Sequence, residues 1–114
     1  MVKITENETM NFKEHTILKM LTGNTQFPEL YGGGRFIFEG INQQSFIIMQ
    51  KLGKNLESYL SQKESCFTMT TICQLGIQLV ECIKKVHKIG YIHNDIKLDN
   101  ILVGDGESSL KSLN

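Results

Sequence analysis

The 114-residue sequence lacks several features that would assign it to a particular class of protein. Its longest apolar runs, such as Phe46–Met49, are far too short to cross a bilayer. It has no excess of either charge, because its twelve basic and twelve acidic residues cancel. We therefore expect neither nucleic acid nor a membrane as a partner. Internal repeats and low-complexity segments are also absent, and the length allows at most one small soluble domain.

Cysteine is scarce, with three residues in the chain. Cys66, Cys73 and Cys82 form no CxxC pair, so their spacing gives no sign of a metal or redox site. The N-terminus alternates charged and polar residues and has no secretory signal. An odd number of thiols in such a chain is typical of a reducing compartment. We expect a cytoplasmic or nuclear location.

Three successive glycines, Gly32, Gly33 and Gly34, interrupt the first half of the chain. They lack the G-x-G-x-x-G spacing of a phosphate-binding loop, and no helix follows them. A tight bend is the better interpretation, with short strands at residues 30–31 and 35–39 on either side. A stronger strand is predicted at residues 45–49.

Two amphipathic segments each predict a short helix. In residues 11–21 the apolar side chains lie mainly on one side, and Glu14 lies on the same helix. Those apolar residues are Phe12, Ile17, Leu18 and Leu21. Residues 55–61 predict a second short helix, for which Asn55 is a candidate N-cap.

A long helix is predicted from about residue 70 to residue 88, because apolar residues recur there at intervals of three and four. Thr68 or Thr70 can cap its start, and Gly90 ends it. Its predicted apolar stripe consists of Ile72, Leu75, Gly76, Leu79, Val80, Ile83 and Val86. His87 lies near the end of this helix and is interpreted as a structural or partly exposed side chain rather than a general base.

The most informative segment matches H-x-D-x-K-x-x-N, with His93, Asp95, Lys97 and Asn100 at the fixed positions. This spacing suits phosphoryl transfer, in which an aspartate accepts the hydroxyl proton of the substrate and an asparagine binds magnesium. A lysine two residues after the aspartate can stabilise the transferring phosphoryl group. The alternative interpretation is a polar turn between two short strands, with charges that merely face water.

The chain has, in order, a helix with Glu14, a strand followed by Leu52-Gly53, a long amphipathic helix and the H-x-D-x-K-x-x-N motif. In this order of elements it resembles casein kinase I. The residues that match that family lie in four segments, 17–23, 27–28, 48–57 and 89–97. The resemblance implies that the chain has an α+β structure and forms part of a protein-kinase fold. It would run from the end of the small lobe and the hinge, residues 1–52, into the start of the helical lobe with the catalytic loop, residues 53–114.

The same resemblance implies an ATP site. Glu14 would orient the lysine that contacts ATP, and Lys3 is the candidate because residues 1–4 imitate the end of V-A-I-K. Met49 would lie at the back of the adenine pocket, Leu52 would offer backbone hydrogen bonds to adenine, and Leu102 would form the apolar floor. For these last three residues the alternative interpretation is ordinary core packing.

The implied cofactors are ATP and Mg²⁺, and the implied substrates are Ser or Thr residues of proteins. Two positions of the loop depart from the family, because Asn94 replaces an arginine and Leu98 replaces a proline. A Gly-rich loop and D-F-G are absent from these 114 residues, so we expect the chain to be a middle segment of a casein kinase I-like Ser/Thr kinase, inactive by itself. The alternatives are a non-catalytic kinase-like fragment, either a binding module or a decayed gene product, and an unrelated small α+β domain.

Overall fold

The computed structural model describes residues 1–38, 40–62 and 67–104. The chain divides into two compact units, Met1–Lys51 and Leu52–Asn114, whereas the sequence placed the division after residue 52. The first unit is a sheet with one helix, and the second is helical, so the predicted α+β composition is confirmed. No helix in the part of the chain that the structure describes is long and apolar enough to span a bilayer.

The first unit contains a three-stranded antiparallel sheet with strand order β1-β3-β2. Its elements, in chain order, are β1 (Val2–Thr5), α1 (Glu8–Met20), β2 (Leu30–Phe38) and β3 (Ile41–Met49). Leu18 of α1 forms a core cluster with Ile47 and Met49 of the central strand β3, and Leu30 packs against it. Ile47 and Met49 are fully buried, so this cluster fixes the helix against the sheet.

Helix α1 begins three residues earlier than predicted, because Asn7 caps it and accepts a hydrogen bond from the Met10 N–H at 3.1 Å. The side of α1 that faces the sheet includes Asn11 and Leu18, which are both buried. Phe12 lies one position outside this buried stripe and is 68% exposed. The prediction that Phe12 contributes to the apolar face was therefore wrong, whereas Leu18 and Leu21 are buried as predicted.

The triple glycine does not form a tight bend. Gly32, Gly33 and Gly34 lie inside strand β2 and pair with Ile48, Ile47 and Phe46 of β3. A Cβ atom at Gly33 would lie 2.8 Å from the main-chain oxygen of Phe46. Glycine is therefore required here by the close approach of two strands rather than by a turn. Among the described pairs, the register shifts at the two ends of β2, between Leu30 and Gly32 and between Ile37 and Phe38.

The second unit contains helices α2 (Leu56–Leu60) and α3 (Met69–Lys88) and a short 3₁₀ turn at Leu98–Asn100. Both predicted caps are confirmed. The Asn55 side chain accepts a hydrogen bond from the Ser58 N–H at 2.9 Å, and the Thr68 hydroxyl accepts one from the Thr71 N–H at 3.2 Å.

Helix α3 ends at Gly90, as predicted, because glycine adopts the left-handed conformation that closes a helix (φ 87°). The Tyr91 N–H donates to the Val86 carbonyl at 3.2 Å, and the Gly90 N–H donates to the His87 carbonyl at 2.9 Å. This pair of bonds is the Schellman motif. It turns the chain directly into the segment that contains the H-x-D-x-K-x-x-N motif.

The buried side of α3 differs from the predicted stripe. Leu75, Cys82 and Val86 are buried, whereas Ile72 is 50% exposed and Val80 is 66% exposed. Cys82, which the sequence analysis left out of the stripe, is 1% exposed and completes a regular helical spacing with Leu75 and Val86. A reduced cysteine packs here as a small apolar side chain.

A backbone pairing joins the start of the second unit to residues 101–103. The Gly53 N–H donates to the Val103 carbonyl at 2.8 Å, the Leu56 N–H to the Ile101 carbonyl at 2.9 Å, and the Val103 N–H to the Lys54 carbonyl at 3.0 Å. We call this the 53–56/101–103 pairing. It fixes the end of the segment that contains the H-x-D-x-K-x-x-N motif, and the end of α3 fixes its start.

Candidate active site

In the first unit, Lys3 and Glu14 form an ion pair. Lys3 lies on β1 opposite Ile47 of β3, and Glu14 lies on α1, which packs against the same sheet. The distance from the lysine Nζ to the glutamate Oε2 is 2.6 Å, and the two side chains are 48% and 25% exposed. A partly exposed ion pair contributes little to stability. Its consequence here is positional, since it holds the ammonium of Lys3 at one place beside α1.

In the second unit, Asp95, Lys97 and Asn100 form a compact polar cluster. The Asn100 Nδ2 donates to the main-chain oxygen of Asp95 at 2.8 Å and to its Oδ2 at 3.0 Å. The Lys97 Nζ lies 3.5 Å from the same Oδ2. The Asp95 and Lys97 side chains are 65% and 52% exposed. The asparagine thus fixes the orientation of the carboxylate, while the carboxylate itself remains accessible.

Two residues of the same loop hold the backbone that presents Asp95. The Nδ1 atom of His93 accepts a hydrogen bond from the Asp95 N–H at 3.2 Å. Asn94 adopts a left-handed conformation, with φ 65°. Asparagine is several-fold enriched in that region among residues other than glycine. From the sequence, Asn94 was interpreted only as a replacement of the family's arginine, although an asparagine at this position was also a signal for the left-handed backbone.

A carboxyl pair that the sequence analysis missed lies beside the cluster. Glu57 is in the first turn of α2, which packs against the 3₁₀ turn containing Asp99. A side-chain hydrogen bond with Asp99, together with repulsion from its charge, raises the pKa of Glu57, and the positive charge of Lys97 opposes this shift. The 53–56/101–103 pairing brings the two acids together, so no local spacing in the sequence could reveal them.

Comparison with known proteins identifies the family. A family described as protein tyrosine and serine/threonine kinase matches residues 2–111. The chain belongs to this protein kinase family. The partial kinase fold predicted from the sequence is therefore confirmed.

Three relatives show which kinases the chain is similar to. It is 36% identical over 83 residues to a probable serine/threonine-protein kinase of fowlpox virus, which is 73% of this chain and 27% of the relative. It is 35% identical over 77 residues to the human serine/threonine-protein kinase VRK2, covering 68% of this chain and 15% of the relative. It is 30% identical over 89 residues to a probable casein kinase I homologue of Encephalitozoon cuniculi, covering 78% and 29%. The chain thus spans less than a third of the length of these relatives.

The residues that the sequence assigned to the adenine pocket of a kinase lie in both units. Met49 is fully buried in the core cluster of the first unit. Leu52 is 7% exposed at the start of the second unit. Leu102 is half-buried and lies opposite Asn55 in the 53–56/101–103 pairing. The burial of Met49 agrees with ordinary core packing. The roles of all three residues in an adenine pocket stay predictions.

Asn100 has the chemistry expected of a magnesium ligand in a kinase. Both of its described hydrogen bonds use Nδ2, which leaves the carbonyl oxygen Oδ1 to face a cation. Magnesium prefers oxygen ligands, and it is commonly held by one or two protein groups together with phosphates and waters. The described residues contain no group of three or more His, Cys, Asp or Glu side chains that could hold a metal by themselves. Asn100 therefore fits as one ligand of a nucleotide-bound ion.

His87 lies in the last turn of α3 and is exposed. None of the described contacts of the polar cluster involves it. This position agrees with the interpretation of His87 as a partly exposed side chain, and Asp95 remains the candidate base.

Proposed function

We propose that this chain contributes to a Ser/Thr protein kinase that transfers the γ-phosphoryl group of ATP to a hydroxyl group of a protein. The observation that supports this proposal best is the cluster in which Asn100 orients the Asp95 carboxylate and Lys97 lies 3.5 Å from it. In this family phosphoryl transfer depends mainly on positioning and electrostatics. The proposal concerns the longer protein, because the chain spans a minor part of its relatives.

Asp95 is assigned the role of accepting the proton of the substrate hydroxyl. Its Oδ2 is occupied by Asn100 and Lys97, and Oδ1 is the oxygen available for the proton. As the hydroxyl oxygen forms its bond to the γ-phosphorus, the bond from phosphorus to ADP breaks. Lys97 stabilises the negative charge on the transferring group, and Asn100 supplies an oxygen to magnesium.

Lys3 and Glu14 are assigned to ATP. In protein kinases a lysine on a strand contacts the phosphates and pairs with a glutamate on a helix. The 2.6 Å ion pair between β1 and α1 has this arrangement. Met49, Leu52 and Leu102 are assigned to the adenine pocket, in which the backbone of Leu52 would bind the base.

The finer proposal is a kinase of the casein kinase I type, located in the cytoplasm or nucleus. Its support is the loop, the hinge sequence and the similarity to a probable casein kinase I homologue. The similarity to VRK2 and to a fowlpox virus kinase supports a Ser/Thr kinase without selecting among these groups. The assignment to the casein kinase I type is tested by comparing phosphate incorporation into casein or an acidic peptide with incorporation into a basic peptide.

The test of the function is kinetic and uses a longer form of the protein that contains these residues. We expect Asp95→Asn to lower kcat by about 100-fold or more, because it removes the base. Lys97→Ala and Asn100→Ala should lower kcat in the same assay. His87→Ala is the matched control and should leave kcat within about two-fold. Equal losses for His87→Ala and Asp95→Asn would show that the base has been assigned wrongly.

A non-catalytic binding module is the second candidate. It predicts that a longer form of the protein does not incorporate phosphate. It also predicts that Asp95→Asn changes neither nucleotide binding nor partner binding. Turnover that depends on both magnesium and Asp95 excludes this candidate. The 114-residue chain alone is expected to show no turnover under either interpretation.

A further inference from the structure

Strand β2 forms one edge of the sheet in the first unit, and its outer side is unpaired. The strand order β1-β3-β2 leaves β2 paired with β3 alone among the described strands. Alternate N–H and C=O groups of an edge strand point away from the sheet and can bind another strand. Because β2 has nine residues, compared with about five or six in an average strand, it presents a long row of such groups.

Edge strands are usually protected, and β2 has few of the usual protections. Natural edges are short, carry lysine or proline, or are interrupted by bulges. The sequence of β2 contains neither lysine nor proline. Its register shifts lie at the two ends, so residues 32–37 pair regularly with β3. Arg35 is the one charged residue of the strand, and Glu8 neutralises it in an ion pair. A second strand would therefore meet no net charge at this edge.

Gly32 is not required by the described contacts of the chain. A Cβ atom at Gly33 would lie 2.8 Å from the main-chain oxygen of Phe46, and one at Gly34 would lie 3.2 Å from the Phe46 ring. A Cβ atom at Gly32 would meet nothing within 4 Å, and the backbone there is not left-handed. Glycine weakens the interior of a strand and often marks a position that another backbone approaches. Gly32 therefore favours an approach from outside the sheet.

Gly32 and Phe36 lie on the same face of β2. Side chains alternate along a strand, and a Cβ atom at Gly33 would lie 3.1 Å from the Cδ2 atom of His15 on α1. Gly32, Gly34 and Phe36 are therefore on the face away from α1. An aromatic ring opposite a glycine on a neighbouring antiparallel strand covers the open backbone and stabilises the pairing. Strand β2 carries both members of such a pair, two residues on either side of Gly34.

We propose that β2 pairs with β2 of a second copy of this chain, antiparallel and centred on Gly34. This two-fold arrangement places Phe36 of each copy opposite Gly32 of the other, so the stabilising pair occurs twice. Tyr31 and Ile37, which are 60% and 69% exposed, meet at the two ends of the pairing. The two sheets join into one sheet of six strands, since each copy contributes three. The interface uses no residue assigned to ATP or to phosphoryl transfer, so it is independent of the proposed function.

Charge and regularity select this register. Centred on Gly34, the pairing places Arg35 opposite Gly33, which has no side chain and leaves room for the ion pair with Glu8. A pairing centred on Arg35 would place two guanidinium groups opposite each other, and like charges in that position repel. A pairing centred on Gly33 would place Phe36 opposite Leu30, which lies beyond the register shift.

The test uses the full chain with Ile77→Lys and Val80→Lys, because exposed apolar residues of α3 are a separate source of association. We expect sedimentation equilibrium to show a reversible monomer–dimer equilibrium without larger species, since a two-fold pairing closes on itself. An interface of this size is weak, so the measurement extends to about 1 mM protein. A chain that is still monomeric at that concentration overturns the proposal.

Two isoleucine variants distinguish the two edges of the sheet. Ile37→Lys should weaken the dimer by about ten-fold, because lysine on an edge opposes the addition of a strand. Ile4→Lys is the matched control, since Ile4 is 56% exposed and lies on β1 at the opposite edge. It should leave the dissociation constant within about two-fold. A larger loss in Ile4→Lys than in Ile37→Lys would assign the interface to β1 and overturn the proposal.

NMR of a mixture of ¹³C-labelled and unlabelled chains tests the register. We expect a nuclear Overhauser effect between the Phe36 ring of one copy and the Hα atoms of Gly32 of the other. Amides of β2 that point outward should exchange more slowly at high protein concentration. An intermolecular contact of the Phe36 ring with Gly34 instead would show a pairing centred on Arg35. That result, or concentration-dependent protection confined to α3, would contradict the proposal.

Discussion

At the residue scale, the segment with the H-x-D-x-K-x-x-N motif shows that local spacing and backbone shape each contribute to a polar cluster. Asp95, Lys97 and Asn100 are close in sequence, so their spacing was enough to predict that their side chains lie together. The left-handed Asn94 and its neighbour His93 set the backbone that presents Asp95. Glu57 and Asp99 could not be predicted as a pair, because only the distant 53–56/101–103 pairing joins them.

Asn94 gives a test of this backbone role. A left-handed residue with a side chain costs about 1–2 kcal/mol relative to the right-handed conformation, and asparagine and glycine bear this cost best. We expect Asn94→Ala to lower the free energy of unfolding by about 1 kcal/mol, whereas Asn94→Gly should change it little. Urea unfolding measures both. If Asn94→Arg, which restores the family residue, were as stable as the original, the backbone at this position would not be strained.

The carboxyl pair predicts a pH dependence. Because the neighbouring Asp99 raises the pKa of Glu57 in the folded state, the pair stabilises the fold below the unfolded-state pKa of Glu57. This stabilisation is lost as pH rises through the raised folded-state value. We expect the thermal midpoint of the chain to fall across this mildly acidic range.

The two single amides are the controls for this pH dependence. Glu57→Gln and Asp99→Asn should each flatten the pH profile, since either change removes the repulsion between two carboxylates. A profile that keeps its slope in both variants would assign the effect to other groups.

At the element scale, the sequence predicted the helices and strands that local signals specify. The predictions failed where contacts between distant parts of the chain determine the structure. Helix α3 has a regular apolar period, a threonine cap and a terminal glycine, and all of these were predicted. Strand β2 was divided in two, because three glycines have the pattern of a turn. Their actual cause, the close approach of β3, lies in another part of the chain. Cys82 was omitted from the core for a related reason, since its burial depends on packing rather than on residue type.

Two glycines in the second unit should respond to alanine in opposite ways. A Cβ atom at Gly53 would lie 2.9 Å from the Val103 carbonyl oxygen, so Gly53→Ala forces the 53–56/101–103 pairing apart. We expect a loss of about 1–3 kcal/mol of stability, as for other overpacked sites. Gly76, inside α3, has nothing within 4 Å of its added Cβ. Gly76→Ala should therefore stabilise the chain by about 0.5–1 kcal/mol. Chemical denaturation of both variants checks this contrast, and a destabilising Gly76→Ala would contradict it.

At the scale of the whole molecule, both units combine a small buried core with large apolar side chains that stay exposed. The first unit closes a small core around Leu18, Ile47 and Met49. In the second unit, α3 leaves several large apolar side chains exposed by half or more. They are Met69, Ile72, Ile77 and Val80. Apolar surface of this kind on one helix is a site of association.

We therefore expect the isolated chain to be marginally stable, to bind hydrophobic dyes and to self-associate. Ile77→Lys and Val80→Lys should reduce dye binding and association without lowering the unfolding midpoint, because these side chains are 62% and 66% exposed. Leu75→Lys is the contrasting variant and should unfold the second unit, since Leu75 is buried. Sedimentation and thermal unfolding measure these outcomes. A monodisperse chain without dye binding would show that α3 needs no partner.

The 53–56/101–103 pairing also has a consequence for how the chain folds. Helix α3 can form from local contacts, but this pairing joins residues about 50 positions apart in the sequence, and the entropy of closing that long loop must be overcome first. During synthesis, residues 53–56 cannot form these hydrogen bonds until residue 103 has left the ribosome. The geometry around Asp95 is therefore completed late, after the helix that precedes it.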